Sequence, residues 1–364
     1  MQGLYVHIPF CRSKCIYCDF YSVPRSDDME KVARGLVDEF TARRDEIEGP
    51  FDTIYLGGGT PSAMPPELLS YICRHLPFNE VAEATIEVNP DDVTADSVKL
   101  WRSLGFNRVS MGVQTLDTNI LRRIGRRHTP QKALDAIRLL HDGGIVNISA
   151  DLIYGLPGQS IGRWQNDLDT LMTSPITHLS AYSLTYHEGT MLYRQMLAGK
   201  ITPADDDTTT RYFEILRASA ATHEFEHYEI SNLARPGFRS RHNSAYWNPS
   251  SRWLGIGPSA HSFDGNTRRI DLPSIPLWLK SLPQPFEIDD ETGLDRINDN
   301  IVTALRTADG LDLASIPEPW RSSVLAEARR FITAGHMHLR DNRLIIDQSH
   351  WIISDSYIRD LIQI

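Results

Sequence analysis

The stretch LYVHIPFCRSKCIYCDF (residues 4–20) decides how the rest of the chain is interpreted. It begins as an apolar run that predicts a β-strand and continues into a loop with Cys11, Cys15 and Cys18 in a CxxxCxxC spacing. Three thiolates on one short loop repel one another, so such a loop usually holds metal, and sulfur ligation favours zinc or iron-sulfur. No fourth Cys or His follows at a suitable spacing. A 4Fe-4S cluster with one iron open is therefore the preferred hypothesis, with a zinc knuckle or three unrelated buried thiols as alternatives.

From this loop to about residue 190, short β-rich runs alternate with amphipathic helical stretches. Predicted strands cover residues 4–8, 53–56, 84–88, 108–113, 146–153 and 178–186. Several helices have cap residues before them, for example Thr129 with Pro130 at the first helical position. The alternation predicts an α/β fold with a parallel sheet, a partial (βα)6 TIM-like barrel.

Polar or glycine-rich residues follow each predicted strand. In barrel-like folds, functional groups collect at the C-terminal ends of the strands. This rule selects the cysteine loop together with Gly57-Gly58-Gly59-Thr60-Pro61, Glu87-Val88-Asn89-Pro90, Gln114, residues 151–158 and Thr185. Taken singly, each of these signals is weak evidence for a binding site, because a glycine run is often a tight turn and a strand-end carboxylate often caps a helix.

Beyond residue 190 the alternation loosens. Residues 205–222 predict a helix and residues 228–230 a strand, whereas 236–287 are rich in Gly, Pro, Trp, Ser and Arg and predict an irregular segment packed on the barrel. Two helical patterns, a hairpin turning at Asp341-Asn342 and a last helix predict a winged-helix-like α+β module over 288–364. We therefore expect three units, 1–235, 236–287 and 288–364.

The bulk composition restricts the function. The chain has 364 residues and a net charge of −10, which argues against broad binding to nucleic acid or to an anionic membrane. No apolar run approaches the roughly 20 residues that span a bilayer, and no signal peptide is visible. Four cysteines, three of them clustered, favour a reducing, cytoplasmic location, with Cys73 a core thiol.

A second unusual stretch is RHNSAYW (residues 241–247). A histidine among aromatic residues is most often a hydrogen-bonded packing residue. Neutral imidazole is also a common axial ligand of heme iron, and Tyr and Trp rings can cover a porphyrin face. Heme ligation by His242 is therefore a hypothesis beside the packing interpretation.

Cys11, Cys15, Tyr17 and Cys18 resemble the signature of the radical S-adenosylmethionine superfamily, and residues 5–11 resemble its HemN-like branch. The resemblance implies that a reduced 4Fe-4S cluster, held by the three cysteines, and S-adenosylmethionine together generate a 5′-deoxyadenosyl radical. Thr185 and His261 match positions that contribute mainly through their backbone. The resemblance also implies that the following residues bind S-adenosylmethionine: Tyr5, Gly58, Gly59, Thr60, Glu87, Gln114, Arg126 and Asp151.

Three features separate the branches of this family. Coproporphyrinogen dehydrogenases carry a further cysteine where this chain has Phe20, and an N-terminal extension before the strand that holds Tyr5. Residues 242–247 match the HNxxYW pattern of the HemW branch of heme chaperones. The resemblance therefore implies heme as ligand, recipient hemoproteins as partners, a possible homodimer, and membrane contact only through a partner. A radical enzyme acting on a porphyrinogen is the alternative, and a zinc-stabilised protein-binding module is a third.

Overall fold

The structure is a computed structural model that describes residues 1–24, 27–78, 80–283, 287–290 and 293–363. Its strands, in chain order, are β1 (Gln2–Ile8), β2 (Phe10–Cys11), β3 (Val23–Pro24), β4 (Thr53–Gly58), β5 (Glu83–Val88), β6 (Arg108–Gln114), β7 (Asn147–Tyr154), β8 (His178–Ser183), β9 (Glu226–Glu229), β10 (Asn232–Ala234), β11 (Arg252–Ile256), β12 (His261–Phe263), β13 (Thr267–Ile270), β14 (Glu287–Asp290), β15 (Leu311–Asp312), β16 (Met337–Arg340) and β17 (Arg343–Ile346). Its helices are α1 (Met29–Arg43), α2 (Pro66–His75), α3 (Ala95–Ser103), α4 (Thr118–Arg123), α5 (Pro130–Asp142), α6 (Ile161–Met172), α7 (Met191–Leu197), α8 (Asp206–Thr222), α9 (Arg241–Tyr246), α10 (Ile275–Ser281), α11 (Leu294–Ala304), α12 (Trp320–Thr333) and α13 (Ser354–Leu361).

Six parallel strands form the centre of the main sheet in the order β1-β4-β5-β6-β7-β8, which confirms the predicted partial barrel. Alternate residues of each strand face opposite sides of a sheet. Leu4 and Val6 of β1 are fully buried in one hydrophobic core with Leu36 of α1 and Leu69 of α2. The opposite residues, such as Tyr55 and Ser110, face the interior of the barrel and line its cavity.

Local sequence fixes several helix starts. Thr94 and Ser97 form a reciprocal capping box at α3, and Thr129 accepts a hydrogen bond from the Lys132 backbone N–H ahead of Pro130. These caps satisfy amide groups that otherwise have no partner inside the helix. Each such helix therefore begins at its cap residue, as predicted.

The prediction of an irregular segment over 236–287 is wrong for residues 252–270. Here β11 pairs in parallel with β1, and β12 and β13 continue the main sheet beyond it. These strands have three to five residues, too few for a readable alternation, and β11, which joins them to the barrel, pairs with a strand some 250 residues away in sequence. Residues 284–286 of the segment lie outside the described part of the chain.

The C-terminal module has the predicted helices and hairpin, with β15 as a third strand in the order β15-β17-β16. Asp341 and Asn342 have φ values of 50° and 63°, as a two-residue turn with a matching twist requires. Backbone hydrogen bonds from Ile230 to Arg306 and from Ala308 to Tyr228 fix the module to the edge of the main sheet. The unit boundaries stay a prediction.

No helix in the described residues is both long enough and apolar enough to cross a bilayer.

Candidate functional site

The C-terminal ends of the parallel strands surround a cavity of about 490 Å³. It brings together most of the residues selected from the sequence, although their roles stay predictions. The selected residues that line it are Cys11, Cys15, Cys18, Gly58, Gly59, Thr60, Glu87, Gln114, Arg126, Asp151 and Thr185. Tyr5, His242 and His261 do not line this cavity.

The cysteine loop is held in place by backbone hydrogen bonds to distant parts of the chain. The Ile16 N–H donates to the Ile124 carbonyl, and the Leu192 N–H donates to the Ile16 carbonyl, at 3.2 and 2.9 Å. The strand that carries Cys11 pairs with residues 23–24. The loop therefore has fixed neighbours on α4 and α7, and all three thiols are free and partly accessible.

The environment of the thiols keeps two of them protonated when no ligand is bound. Burial raises the pKa of Cys11 and raises the pKa of Cys18 to about 11, so both groups are neutral thiols near neutral pH. The Arg126 guanidinium lies 3.6 Å from the Cys15 sulfur. Metal ligation requires thiolates, so a metal or cluster bound here has to displace the thiol protons.

The donor set fits a cluster better than a single ion. A 4Fe-4S cluster takes cysteine thiolates at separate irons, and three thiols on one cavity wall provide such a set. A structural zinc site takes four protein ligands, and the cysteine loop supplies three.

The glycine strip at the end of β4 lets two chain segments approach closely. A Cβ at Gly59 would lie 2.8 Å from the Phe10 carbonyl oxygen, and Gly58 has a φ of 102° with the His7 ring 2.6 Å from the position of its missing Cβ. The N–H groups of Gly59 and Thr60 donate to the carbonyls of Ile8 and Phe10, both at 2.8 Å. Much of the need for glycine here comes from packing against the strand that leads to the cysteines.

Two partly buried carboxyl groups face the cavity. Glu87 accepts hydrogen bonds from the Tyr55 hydroxyl at 2.8 Å and the Gly58 N–H at 3.2 Å, and Asp151 accepts one from the Ser110 hydroxyl at 3.1 Å. Burial raises the pKa of Glu87 to about 7 and that of Asp151 to about 6. Both groups therefore titrate close to neutral pH, and a cationic or hydroxyl-bearing ligand would favour the ionised forms.

Arg108 lies below these carboxyl groups, at the start of β6. Its side chain is 1% exposed, and none of its three guanidinium nitrogens is hydrogen-bonded to a described residue. Its positive charge nevertheless opposes the rise in the pKa of Glu87 and of Asp151. Sequence reasoning did not select Arg108, although its position on β6 gives it the same inward orientation as Ser110.

Arg126 is almost completely enclosed at the cavity wall. It donates to Asn89 Oδ1 at 2.5 Å and to the Gly112 carbonyl, while its buried Nε has no hydrogen-bond partner among the described residues. Gln114 lies nearby with a positive φ of 69°. A guanidinium with a buried unused donor fits a carboxylate ligand, since buried polar groups are normally paired.

Several lining residues were not selected from the sequence, namely Tyr55, Ser110, Ser180, Tyr182 and His187. Tyr55 and Ser110 share the inward phase of Gly57 and Gln114 on their own strands, and that phase is the signal that would have found them. Ser180 and Tyr182 pair with Asp151 and Ile153 of β7, so their orientation depends on strand register.

His242 lies at the opposite, N-terminal edge of the strands. Its Nδ1 is 2.8 Å from the hydroxyl of Thr53 and its Nε2 is 2.9 Å from the hydroxyl of Tyr246, and the side chain is 1% exposed. Burial lowers its pKa to about 3, so it is neutral. In the structure His242 is a hydrogen-bonded packing residue. Heme ligation by His242 stays a prediction, and it requires one of these two hydrogen bonds to break.

Tyr5 lies between the two regions. Its hydroxyl is 3.2 Å from His7 Nδ1, and its ring stacks with Tyr55 and with His242 at centroid distances of 6.2 and 6.5 Å. Tyr5 packs against the Tyr55 ring, and Tyr55, not Tyr5, lines the cavity. Tyr5 would therefore act on a ligand only by positioning Tyr55.

The chain is similar to known proteins both in sequence and in fold. The model of the radical SAM superfamily matches residues 5–171. The chain is 31% identical to the heme chaperone HemW of Bacillus subtilis (strain 168) over 336 residues, covering 89% of this chain and 88% of that protein. It is 29% identical to HemW of Mycobacterium tuberculosis (strain ATCC 25618 / H37Rv), covering 99% and 94%. The solved structure of coproporphyrinogen III oxidase (HemN) from Escherichia coli superposes with a TM-score of 0.85 at 19% identity over 100% of this chain and 90% of that one, which shows a shared fold.

Proposed function

This chain belongs to the HemW family within the radical SAM superfamily, and from that membership we propose that it binds heme and delivers it to hemoproteins such as respiratory enzymes. The observation that carries the proposal is the match to HemW of Bacillus subtilis, which extends over 89% of the chain. The match to HemW of Mycobacterium tuberculosis covers 99% of the chain and so includes the C-terminal module as well as the barrel. Phe20, at the position of the further cysteine of coproporphyrinogen dehydrogenases, supports the same choice.

The cavity would hold a 4Fe-4S cluster and S-adenosylmethionine. Cys11, Cys15 and Cys18 would ligate the cluster, which when reduced supplies the electron that cleaves the sulfonium. Arg126, with its unused buried Nε, would bind the methionine carboxylate. Glu87, Asp151 and Gln114 would bind the ammonium and ribose hydroxyls, and the Gly58–Thr60 backbone would border the ligand.

A cytoplasmic location fits the cysteine usage and the family. The partners would be heme and the recipient hemoproteins. The same proposal includes a homodimer of this chain. Contact with a membrane would be made through a recipient protein. The acidic balance of the chain gives no basis for nucleic-acid binding.

The second candidate is a radical enzyme acting on a porphyrinogen. It is favoured by the cavity itself, because the buried polar groups expected around S-adenosylmethionine are present. It is disfavoured by Phe20. Such an enzyme would release 5′-deoxyadenosine in proportion to the substrate consumed.

An anaerobic heme titration of the cluster-reconstituted protein tests the proposal. We expect saturable binding of one heme per chain, seen as a shifted Soret band, and no turnover of coproporphyrinogen. Absence of saturable heme binding together with substrate-dependent 5′-deoxyadenosine would overturn the proposal in favour of the radical enzyme.

A further inference from the structure

His187 lies on the exposed rim of the cavity and is the starting point for a heme site. It belongs to the cavity lining, as do the cluster cysteines, and its side chain is 46% exposed. His242, by contrast, is buried with both ring nitrogens occupied. His187 is therefore accessible to a ligand from solvent, whereas His242 is not.

The ring of His187 lies beside a carboxylate. Its Nδ1 is 3.3 Å from Asp19 Oδ2, an ion-pair distance, and no described residue is hydrogen-bonded to its Nε2. A carboxylate beside one ring nitrogen favours the proton on that nitrogen, which leaves the other nitrogen as a metal donor. Thr190 donates to the His187 carbonyl at 2.7 Å and caps α7, which fixes the backbone beside the ring.

A histidine paired with a carboxylate is not by itself a site. His141 and His338 make similar contacts with Asp142 and Asp347 at 3.3 and 3.1 Å. Neither of them lines the cavity. What distinguishes His187 is therefore its surroundings.

Those surroundings combine apolar and cationic groups. Phe20 and Tyr182, which also line the cavity, present exposed rings that are 62% and 43% accessible. Met191, the first residue of α7, is 51% exposed. Lys14 lines the same rim and places an ammonium group there. A flat apolar macrocycle with two carboxylates and an iron that accepts imidazole matches this set of groups.

We propose that heme binds at the rim of the cavity, with His187 Nε2 as an axial ligand of the iron, Phe20 and Tyr182 against the macrocycle, and Lys14 near a propionate. This inference rests on the proposed function, since it names the heme site of the same cavity. Heme bound there would lie at the open end of the barrel, where a recipient protein can reach it.

The test is a ferric heme titration of the cluster-reconstituted full-length protein under anaerobic conditions, with three variants beside wild type. His187→Ala should weaken binding by roughly tenfold or more and change the axial-ligand signature in the heme absorption and EPR spectra. Added imidazole should restore that signature. His338→Ala removes the histidine of the exposed His338–Asp347 pair, which lies outside the cavity lining, and this variant should bind heme as wild type does.

The third variant, His242→Ala, separates the two candidate ligands. Loss of heme binding in His242→Ala with unchanged binding in His187→Ala would overturn the inference and leave the proposed function standing. Failure of wild type to bind heme would overturn both. Iron and acid-labile sulfide contents equal to those of wild type show that a variant still folds around its cluster.

Discussion

Cys15 tests the cluster assignment at the level of a single residue. Cys15→Ala removes one of three thiolates, and a 4Fe-4S cluster held by two protein ligands is not retained. We expect the reconstituted variant to lose most of its iron, its acid-labile sulfide and its brown absorbance. Cys73→Ala, which removes a thiol buried on α2, should keep all three. Zinc without acid-labile sulfide in the wild-type protein would contradict the assignment.

Arg108 is expected to control the charge of the cavity. Without its positive charge the pKa values of Glu87 and Asp151 rise further, so the two groups ionise only at higher pH. If these carboxylates bind S-adenosylmethionine, affinity increases with pH, and Arg108→Met should move the midpoint of that increase to higher pH. Calorimetric titration of S-adenosylmethionine across the neutral range measures it. Arg108→Lys keeps the charge and should keep most of the profile. An unchanged midpoint in Arg108→Met would contradict this role.

At the scale of elements, a buried ion network attaches α1 to the strands beyond β1. Arg43 donates to Glu39 Oε1 at 2.5 Å and to the Ser262 hydroxyl at 2.9 Å, and lies 3.5 Å from Asp271. Glu39 also accepts hydrogen bonds from the Gly257 N–H and from Trp278 Nε1. The network therefore connects α1 with β11, β12 and α10, which the sequence analysis had treated as a separate segment.

Arg43→Met should destabilise the protein strongly, because it leaves the buried Glu39 carboxylate without its counter-charge and the Asp271 carboxyl without the guanidinium beside it. A loss of about 3 to 5 kcal/mol in the free energy of unfolding is expected, measured by urea denaturation. Arg34→Met is the matched control on the same helix, since Arg34 forms an exposed pair with Glu30 and should have little effect. Equal stability of the two variants would show that the network does not hold the segment.

The elements also show what the sequence could and could not predict. The six parallel strands have enough residues to display their pattern, and Thr94 and Thr129 mark helix starts, so the barrel was predictable. The convergence of Cys11, Glu87 and Asp151 followed from one topological rule. The pairing of β11 with β1 was not predictable, because it depends on contacts between distant segments.

The depth of each side chain within the barrel also could not be predicted from the sequence. A strand pattern tells which residues face inward but not at which level they lie. Tyr5 and His242 were predicted to contact ligands, yet both lie below the cavity, where they pack against Tyr55. The level of a residue depends on strand tilt and register, which the sequence does not display.

At the scale of the whole molecule, stability should depend on pH through the buried Glu229 at the edge that meets the C-terminal module. Burial raises the pKa of Glu229 to about 7, whereas an unfolded chain has the ordinary value near 4.3. The folded state therefore favours the protonated form, and wild type loses stability as the pH rises from about 4.3 to about 7. Glu229→Gln removes this loss.

The free energy of unfolding of Glu229→Gln relative to wild type should therefore increase by about 2 to 3 kcal/mol between about pH 5 and pH 8. Urea denaturation of both proteins at several pH values measures this, and groups that titrate in both proteins cancel in the difference. A difference that does not vary with pH would show that Glu229 is not buried as a carboxyl group in solution.

The central claim is that this chain delivers heme, and the most direct test is transfer. Heme-loaded, cluster-reconstituted protein is mixed under anaerobic conditions with the heme-free form of a b-type cytochrome and a separate scavenger of free heme. We predict that the cytochrome spectrum appears while the scavenger stays unloaded. Heme that stays on the protein, or reaches the scavenger first, would contradict the account.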